Sequence, residues 1–178
     1  CSSDLDLEVR RGEVLALVGE SGCGKTTLAR TILGLERPAE GEVVFDGQAL
    51  RYDARFLREY RGKVQMVFQD PMGSLNPRQT VYEAVVEGVR IQKLPGDEAA
   101  LVSEALARAG LRPPERFVEL YPYELSGGQR QRVVIAGAMV LGPSVLVADE
   151  PVSSLDASVR GEILKLMLEL VHEAGVTI

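Results

Sequence analysis

The chain has little cysteine, a single histidine, no excess of basic charge and no long apolar run. Two cysteines, Cys1 and Cys23, in 178 residues supply no disulfide framework. The most apolar stretch, residues 133–141, is far shorter than the about 20 residues a bilayer span needs. Any membrane contact must therefore come through a partner. Lys and Arg number 20 against 26 Asp and Glu, and the formal net charge of −6 argues against a broad nucleic-acid-binding surface. His172 falls late in an amphipathic helical pattern, with Ile163, Leu166, Met167, Leu170 and Val171 on one face, and reads as a solvated helix residue. No signal segment, repeat or low-complexity tract is visible. A hydrophobic content of 46% over this length is enough for a real core, as one compact domain or a core with a lobe.

What is present begins with Gly19-Glu20-Ser21-Gly22-Cys23-Gly24-Lys25-Thr26, which fits the full phosphate-binding loop pattern. It follows Val14-Leu15-Ala16-Leu17-Val18, a run that reads as a buried strand, and it opens a helix through Thr27 to Leu33 that stops at Gly34. Glycines keep side chains away while backbone N–H groups close on phosphates, and the helix adds the positive end of its dipole. A nucleoside triphosphate is the expected ligand, with Lys25 reaching the β- and γ-phosphates and Thr26 the Mg2+. The alternative is a Gly-rich turn ahead of an ordinary helix that buries Leu28, Ile32 and Leu33.

Ser144-Val145-Leu146-Val147-Ala148 is a continuous apolar run, as expected of a central parallel strand, and it delivers Asp149-Glu150 at its carboxyl end. Open α/β sheets place their ligands there. Asp149 suits the Mg2+ that bridges the phosphates, and Glu150, one residue further out, suits the acceptance of a proton from an attacking water. Paired acids after a strand are also common as plain surface turns.

Leu125-Ser126-Gly127-Gly128-Gln129 separates the classes of phosphate-loop protein. Ser126 and Gln129 are spaced as a capping box for a helix to Leu141, ahead of Gly142-Pro143. A capped helix start with two glycines exposes free N–H groups, which suits it to gripping a γ-phosphate. The pentapeptide resembles the signature of the ATP-binding cassette (ABC) ATPases and stands in that family's order between phosphate loop and acidic strand. The resemblance implies that Ser126, Gly127, Gly128 and Gln129 act on ATP held by another subunit. Two copies or paralogues, a homodimer or heterodimer, would then sandwich two nucleotides head to tail.

Further segments are similar to the family. Lys63 to Phe68 looks like a strand ending in Gln69, which the resemblance places on Mg2+ and the attacking water. Ser153-Ser154-Leu155-Asp156 resembles the loop that crosses to the partner, although Asp156 also reads as a plain N-cap. Phe68-Gln69-Asp70-Pro71 with Ser74-Leu75-Asn76-Pro77-Arg78 is similar to ATPase subunits of oligopeptide, dipeptide and nickel importers. The implied catalytic set is Glu150, Gln69 and Lys25, and the implied metal set is Thr26, Gln69 and Asp149.

The expected fold is α/β, a P-loop NTPase core of ABC type with an antiparallel β flank and a helical subdomain. Residues 1–70 and 142–178 form the core, with strands at 5–9, 14–18 and 42–45. Residues 71–141 form the lobe, with helices at 80–92, 96–109 and 126–141, and a last helix spans 157–174. Gln69 to Tyr82 is the candidate surface for a permease helix, or else an ordinary lobe packed on its core. The chain lacks an initiating Met and stops within the run Val176-Thr177-Ile178. We therefore expect truncation at both ends, with the family's adenine-stacking aromatic and switch histidine outside residues 1–178. A leading Cys-Ser-Ser can mimic a lipoprotein end, but a nucleotide site needs cytosolic ATP. The expected function is ATP hydrolysis that drives import of peptides or a related small solute. It would act from the cytoplasmic face of the membrane, through permease subunits and, indirectly, a solute-binding protein. The alternative is an ABC ATPase of DNA repair or translation, yet no heptads or Cys pairs stand between loop and signature.

Overall fold

Short apolar runs and stretches of helical periodicity alternate along the chain, and the computed structural model, which describes residues 5–20, 22–68 and 71–178, folds them accordingly. Helix α1 (Lys25–Ile32) follows the Gly-rich loop, and β1 (Val44–Phe45) pairs antiparallel with β2 (Gln48–Ala49). Helix α2 (Ala54–Lys63) starts at Asp53, whose carboxylate accepts from the Phe56 N–H, and it runs directly into β3 (Val64–Val67). Then come α3 (Pro71–Ser74), α4 (Val81–Gln92), α5 (Glu98–Arg108) and α6 (Gly127–Met139). Strand β4 (Val145–Ala148) and α7 (Ala157–Ala174) end the order. Side-chain caps open α2, α4, α5 and α6. Thr80 and Glu83 exchange side-chain and backbone hydrogen bonds at the head of α4, satisfying two N–H groups that the helix leaves free.

β3 and β4 pair in parallel, Val64 opposite Val145 through Val67 opposite Ala148. Hydrogen bonds continue outward from β4: Thr177 N–H donates to Ser144 O at 2.9 Å and Leu146 N–H to Thr177 O at 2.8 Å. Ile178 N–H then donates to Glu13 O at 2.9 Å, and Leu15 N–H to Ile178 O at 2.8 Å. The lateral order is thus β3, β4, residues 177–178 and residues 13–15. Two expectations differ here. Residues 14–18 are not a buried strand, since Val18 is 95% exposed and only residues 13–15 make ladder bonds, all to Ile178. Residues 5–9 are irregular and exposed. An apolar run is buried only where neighbours cover it, and here Leu15, Leu17, Phe45 and Val147 instead line an open cleft of about 650 Å³.

One large apolar cluster joins the faces of α4, α5 and α6 to β4 and α7, through residues such as Val86, Leu106, Ile135, Leu146 and Ile163, all fully buried. Burial of each such side chain contributes about 1.5–3 kcal/mol. Arg90 and Glu98 tie α4 to the first turn of α5 with hydrogen bonds of 2.7 and 3.0 Å. A second, smaller cluster under α1 holds Leu33, Tyr60 and Val64, with Phe45 edge-on to the Tyr60 ring at 5.4 Å.

Tyr60 donates its hydroxyl to Ile32 O, and burial, with Tyr52 as the lesser cause, pushes its phenol from 10.0 to about 12. The folded state holds this proton more tightly than the unfolded chain does. The resulting stability is complete below the unfolded value of 10.0 and is lost as pH rises toward about 12. Tyr60→Phe is expected to cost about 0.5–1.5 kcal/mol at neutral pH for the lost hydrogen bond, and to flatten the alkaline decline. Urea unfolding of both proteins at neutral pH and across that alkaline window checks this. Parallel alkaline declines would contradict it.

Candidate functional site

The loop between residue 18 and α1 turns on glycine. Gly22 and Gly24 have φ of 79° and 103°, and Gly24 is the N-cap of α1, a backbone position that L side chains adopt only under strain. The turn aims the start of α1 into the loop, where the first helical N–H groups, those of Lys25, Thr26 and Thr27, have no acceptor inside the helix. Cys23 N–H donates to Glu20 O at 3.3 Å and closes the loop. Lys25 folds back over it, and its Nζ donates to Gly19 O at 2.7 Å and Glu20 O at 2.9 Å, 3.8 Å from Cys23 Sγ. Thr27 lies exposed in the first turn and its carbonyl accepts from Thr31 Oγ1 at 2.9 Å.

The acidic strand end arrives beside this loop. Asp149 N–H donates to Val67 O at 3.0 Å, extending the β3–β4 ladder by one residue and fixing Asp149 at the carboxyl edge of the sheet. There Thr26 Oγ1 donates to Asp149 Oδ2 at 3.1 Å, joining residues 123 positions apart. Glu150 follows in the left-handed region at φ 46° with an exposed side chain. Its carbonyl accepts both the N–H and the Oγ of Ser153, each at 3.1 Å, which pins the strained turn.

The helix start at 126 is built separately. Ser126 Oγ accepts from Gln129 N–H at 3.2 Å, and Gln129 Oε1 accepts from Ser126 N–H at 2.9 Å, so the expected capping box is present. Gly127 and Gly128 form the first turn. Among the described residues, no hydrogen bond or ion pair joins residues 126–129 to the loop at 19–27. The structure therefore assembles Gly19, Glu20, Gly22, Cys23, Gly24, Lys25, Thr26, Thr27, Asp149 and Glu150 in one place, with Ser126 to Gln129 not bonded to them among the described residues. Ser21 and Gln69 lie outside the described residues. Asp156 occupies the N-cap position of α7, but its side chain makes no capping hydrogen bond, unlike the plain N-cap the sequence suggests. Sequence reasoning placed Ser153 in the loop that crosses to the partner and missed its bonds to the Glu150 carbonyl, whose signal is its place three residues beyond Glu150, the spacing of a local turn bond.

A Thr hydroxyl and an Asp carboxylate within hydrogen-bonding distance, beside a Lys ammonium and a helix start, match the donor set that phosphate-loop proteins use for Mg2+ and phosphates.

The profile of the family described as "ABC transporter" matches residues 2–153. The oligopeptide transport ATP-binding protein OppF of Bacillus subtilis (strain 168) is 44% identical over 98% of this chain and 58% of its own length. The glutathione import ATP-binding protein GsiA of Salmonella choleraesuis (strain SC-B67) is 47% identical over 97% of this chain and 28% of its own length. The chain thus spans about half, or less, of the curated relatives it matches. Among solved structures, the ATP-binding cassette MJ0796, a dimer in a post-hydrolysis state with ADP and Pi, superposes with a TM-score of 0.81 at 34% identity, over 96% of this chain and 75% of that one.

The loop geometry makes a prediction for stability. Gly24→Ala adds a methyl that meets no atom within 4 Å, yet the φ of 103° makes it strained. We expect a loss of at least about 1 kcal/mol. Gly161→Ala in α7 also meets no atom within 4 Å and has ordinary helical backbone, so it should gain about 0.5–1 kcal/mol. Denaturant midpoints of the two variants should move in opposite directions, and a shared direction would contradict the assigned loop conformation.

Proposed function

We propose, from the premise that this chain belongs to the ABC transporter family, that it binds and hydrolyses ATP to power import of peptides or a related small solute. The observation that carries this reading is the Thr26–Asp149 contact with Lys25 beside it, because it brings the phosphate loop and the acidic strand end to one point. The backbone N–H groups opening α1 bind the phosphates and Lys25 exchanges its loop carbonyls for β- and γ-phosphate oxygens. Thr26 and Asp149, with Gln69, would hold Mg2+, which would supply charge neutralisation at the phosphate oxygens. Glu150 takes a proton from water as the water oxygen bonds to the γ-phosphorus and the bond to the β-phosphate oxygen breaks, leaving ADP and phosphate.

Among the described residues no hydrogen bond or ion pair joins Ser126 to Gln129 to the chain's own loop, and we assign them to ATP held by a second ABC subunit. The dimeric state of MJ0796 supports the same arrangement. Residues 1–70 with 142–178 serve as the nucleotide core and 71–141 as the lobe that meets permease subunits, which in turn meet a solute-binding protein. No described helix is long and apolar enough to cross a membrane, in keeping with a peripheral place on the cytoplasmic face. The names of OppF and GsiA support peptide-like solutes and import. No observation favours the DNA-repair or translation alternative, and the transport names of the relatives weigh against it.

In the intact protein, Glu150→Gln is expected to leave ATP binding in place and slow hydrolysis by at least about 10²-fold, the contribution of a general base, accumulating an ATP-bound dimer. Near-normal turnover would remove Glu150 from that role. Lys25→Ala should instead weaken nucleotide binding itself, measured by equilibrium titration.

A further inference from the structure

The two glycines of the signature turn face α7 and the residues just before it in their own chain. A Cβ placed on Gly127 would lie in ordinary contact with Leu155 Cδ2 at 3.6 Å, but one on Gly128 would fall 2.6 Å from Val159 Cγ1. That approach is closer than real Cβ contacts allow. Val159 cannot readily yield, because a β-branched side chain in a helix is nearly confined to one rotamer. One turn further along both helices, Arg132 Nη2 of α6 meets Glu162 Oε2 of α7 at 3.1 Å. The same guanidinium donates to Ala109 O at 3.0 Å, where a Cβ on Gly110 would lie 2.4 Å from Arg132 Nη1. The seam is thus packed at 128 against 159 and bridged at 132 to 162, with both helices advancing in step.

The other side of the seam leads to the hydrolytic turn. Leu155 is buried beneath Gly127, and its carbonyl accepts from Arg160 Nε at 2.7 Å. Its N–H donates to Val152 O, and Ser153 holds the carbonyl of Glu150. From Glu150 to Gly128, therefore, a short run of buried or hydrogen-bonded residues connects the turn that carries the proposed base to the turn that serves the partner's nucleotide.

We propose that Val159 is a positioning residue and that Gly128 is glycine to admit it: the close α6–α7 seam holds the chain's own Glu150 turn and its own signature turn in fixed relation. One chain then offers its base to one nucleotide and its signature to the other across one packed seam. Displacing the seam disturbs catalysis while leaving the chain's own phosphate loop intact. The inference rests on the proposed ATPase function.

The test uses the intact protein assembled with its partner subunits. Gly128→Ala is expected to lower kcat at least about tenfold, the effect of a small misplacement near the chemistry, with the KM for ATP moved less than about threefold. Adding Val159→Ala should vacate the space that the new methyl needs and recover most of that loss. Val159→Leu presses on the seam from the α7 side with both glycines in place, and should lower kcat with KM unmoved. Melting temperatures of the single and double variants should show the same rescue, independent of turnover. An active parent whose double variant is no better than Gly128→Ala, or full activity in Val159→Leu, would overturn the seam and leave Gly128 as a phosphate-contact glycine alone. A parent that does not hydrolyse ATP would instead strike at the proposed function, and additive melting losses would then still overturn the seam.

Discussion

A single contact between the Thr26 hydroxyl and the Asp149 carboxylate, 3.1 Å long and spanning 123 positions of chain, is the constraint on which the candidate site depends. It exists because two independent pieces of geometry converge. The sheet carries Asp149 to its carboxyl edge, since the ladder between β3 and β4 runs on through the bond from Asp149 N–H to Val67 O. The glycine turn aims α1 so that its second residue faces that edge. Neither half makes a site alone. A phosphate loop without the acidic strand holds no metal position, and an acidic strand end without the loop is a surface turn.

Asp46, Lys93 and Glu150 are the described non-glycine residues at positive φ, and the last of them lies where the chemistry is assigned. Gly24 caps α1 at a positive φ that glycine adopts cheaply, whereas Glu150 adopts a positive φ that costs a non-glycine residue of order 1 kcal/mol or more. The two hydrogen bonds from Ser153 to the Glu150 carbonyl offset part of that cost and fix the residue's direction. The signature turn is organised on other terms. Its box is fully satisfied by its own side chains, so its glycines are free to be selected for what approaches them, which is α7 on one side and, in our reading, a partner's nucleotide on the other.

The helices were legible because their ends carry chemistry: Thr80 with Glu83 and Ser126 with Gln129 mark starts, and Gly175 at φ 65° marks the stop of α7 at the expected residue. The strand before the loop was not. Val14 to Val18 has the composition of a buried strand, but burial is a property of neighbours, and among the described residues Ile178 alone supplies backbone partners there. Gln131 shows the same limit in reverse, a polar residue fully buried inside α6 with its carboxamide lacking a hydrogen-bond partner among the described residues. Lys25, Thr26 and Asp149, which announce themselves by spacing, lie together in the structure. The Gly128–Val159 seam was not legible, since no local pattern shows which helix lies against a glycine.

The central claim is that the loop of one chain and the signature of another build each hydrolytic site. Mixing two intact proteins, one carrying Lys25→Ala and the other Ser126→Arg, tests it most directly. Each alone should fail to turn over ATP. Together they should recover activity, because every mixed dimer has one site with an unaltered loop and an unaltered signature. A mixture that forms dimers yet stays inactive, or robust turnover by Ser126→Arg alone, would contradict the shared site.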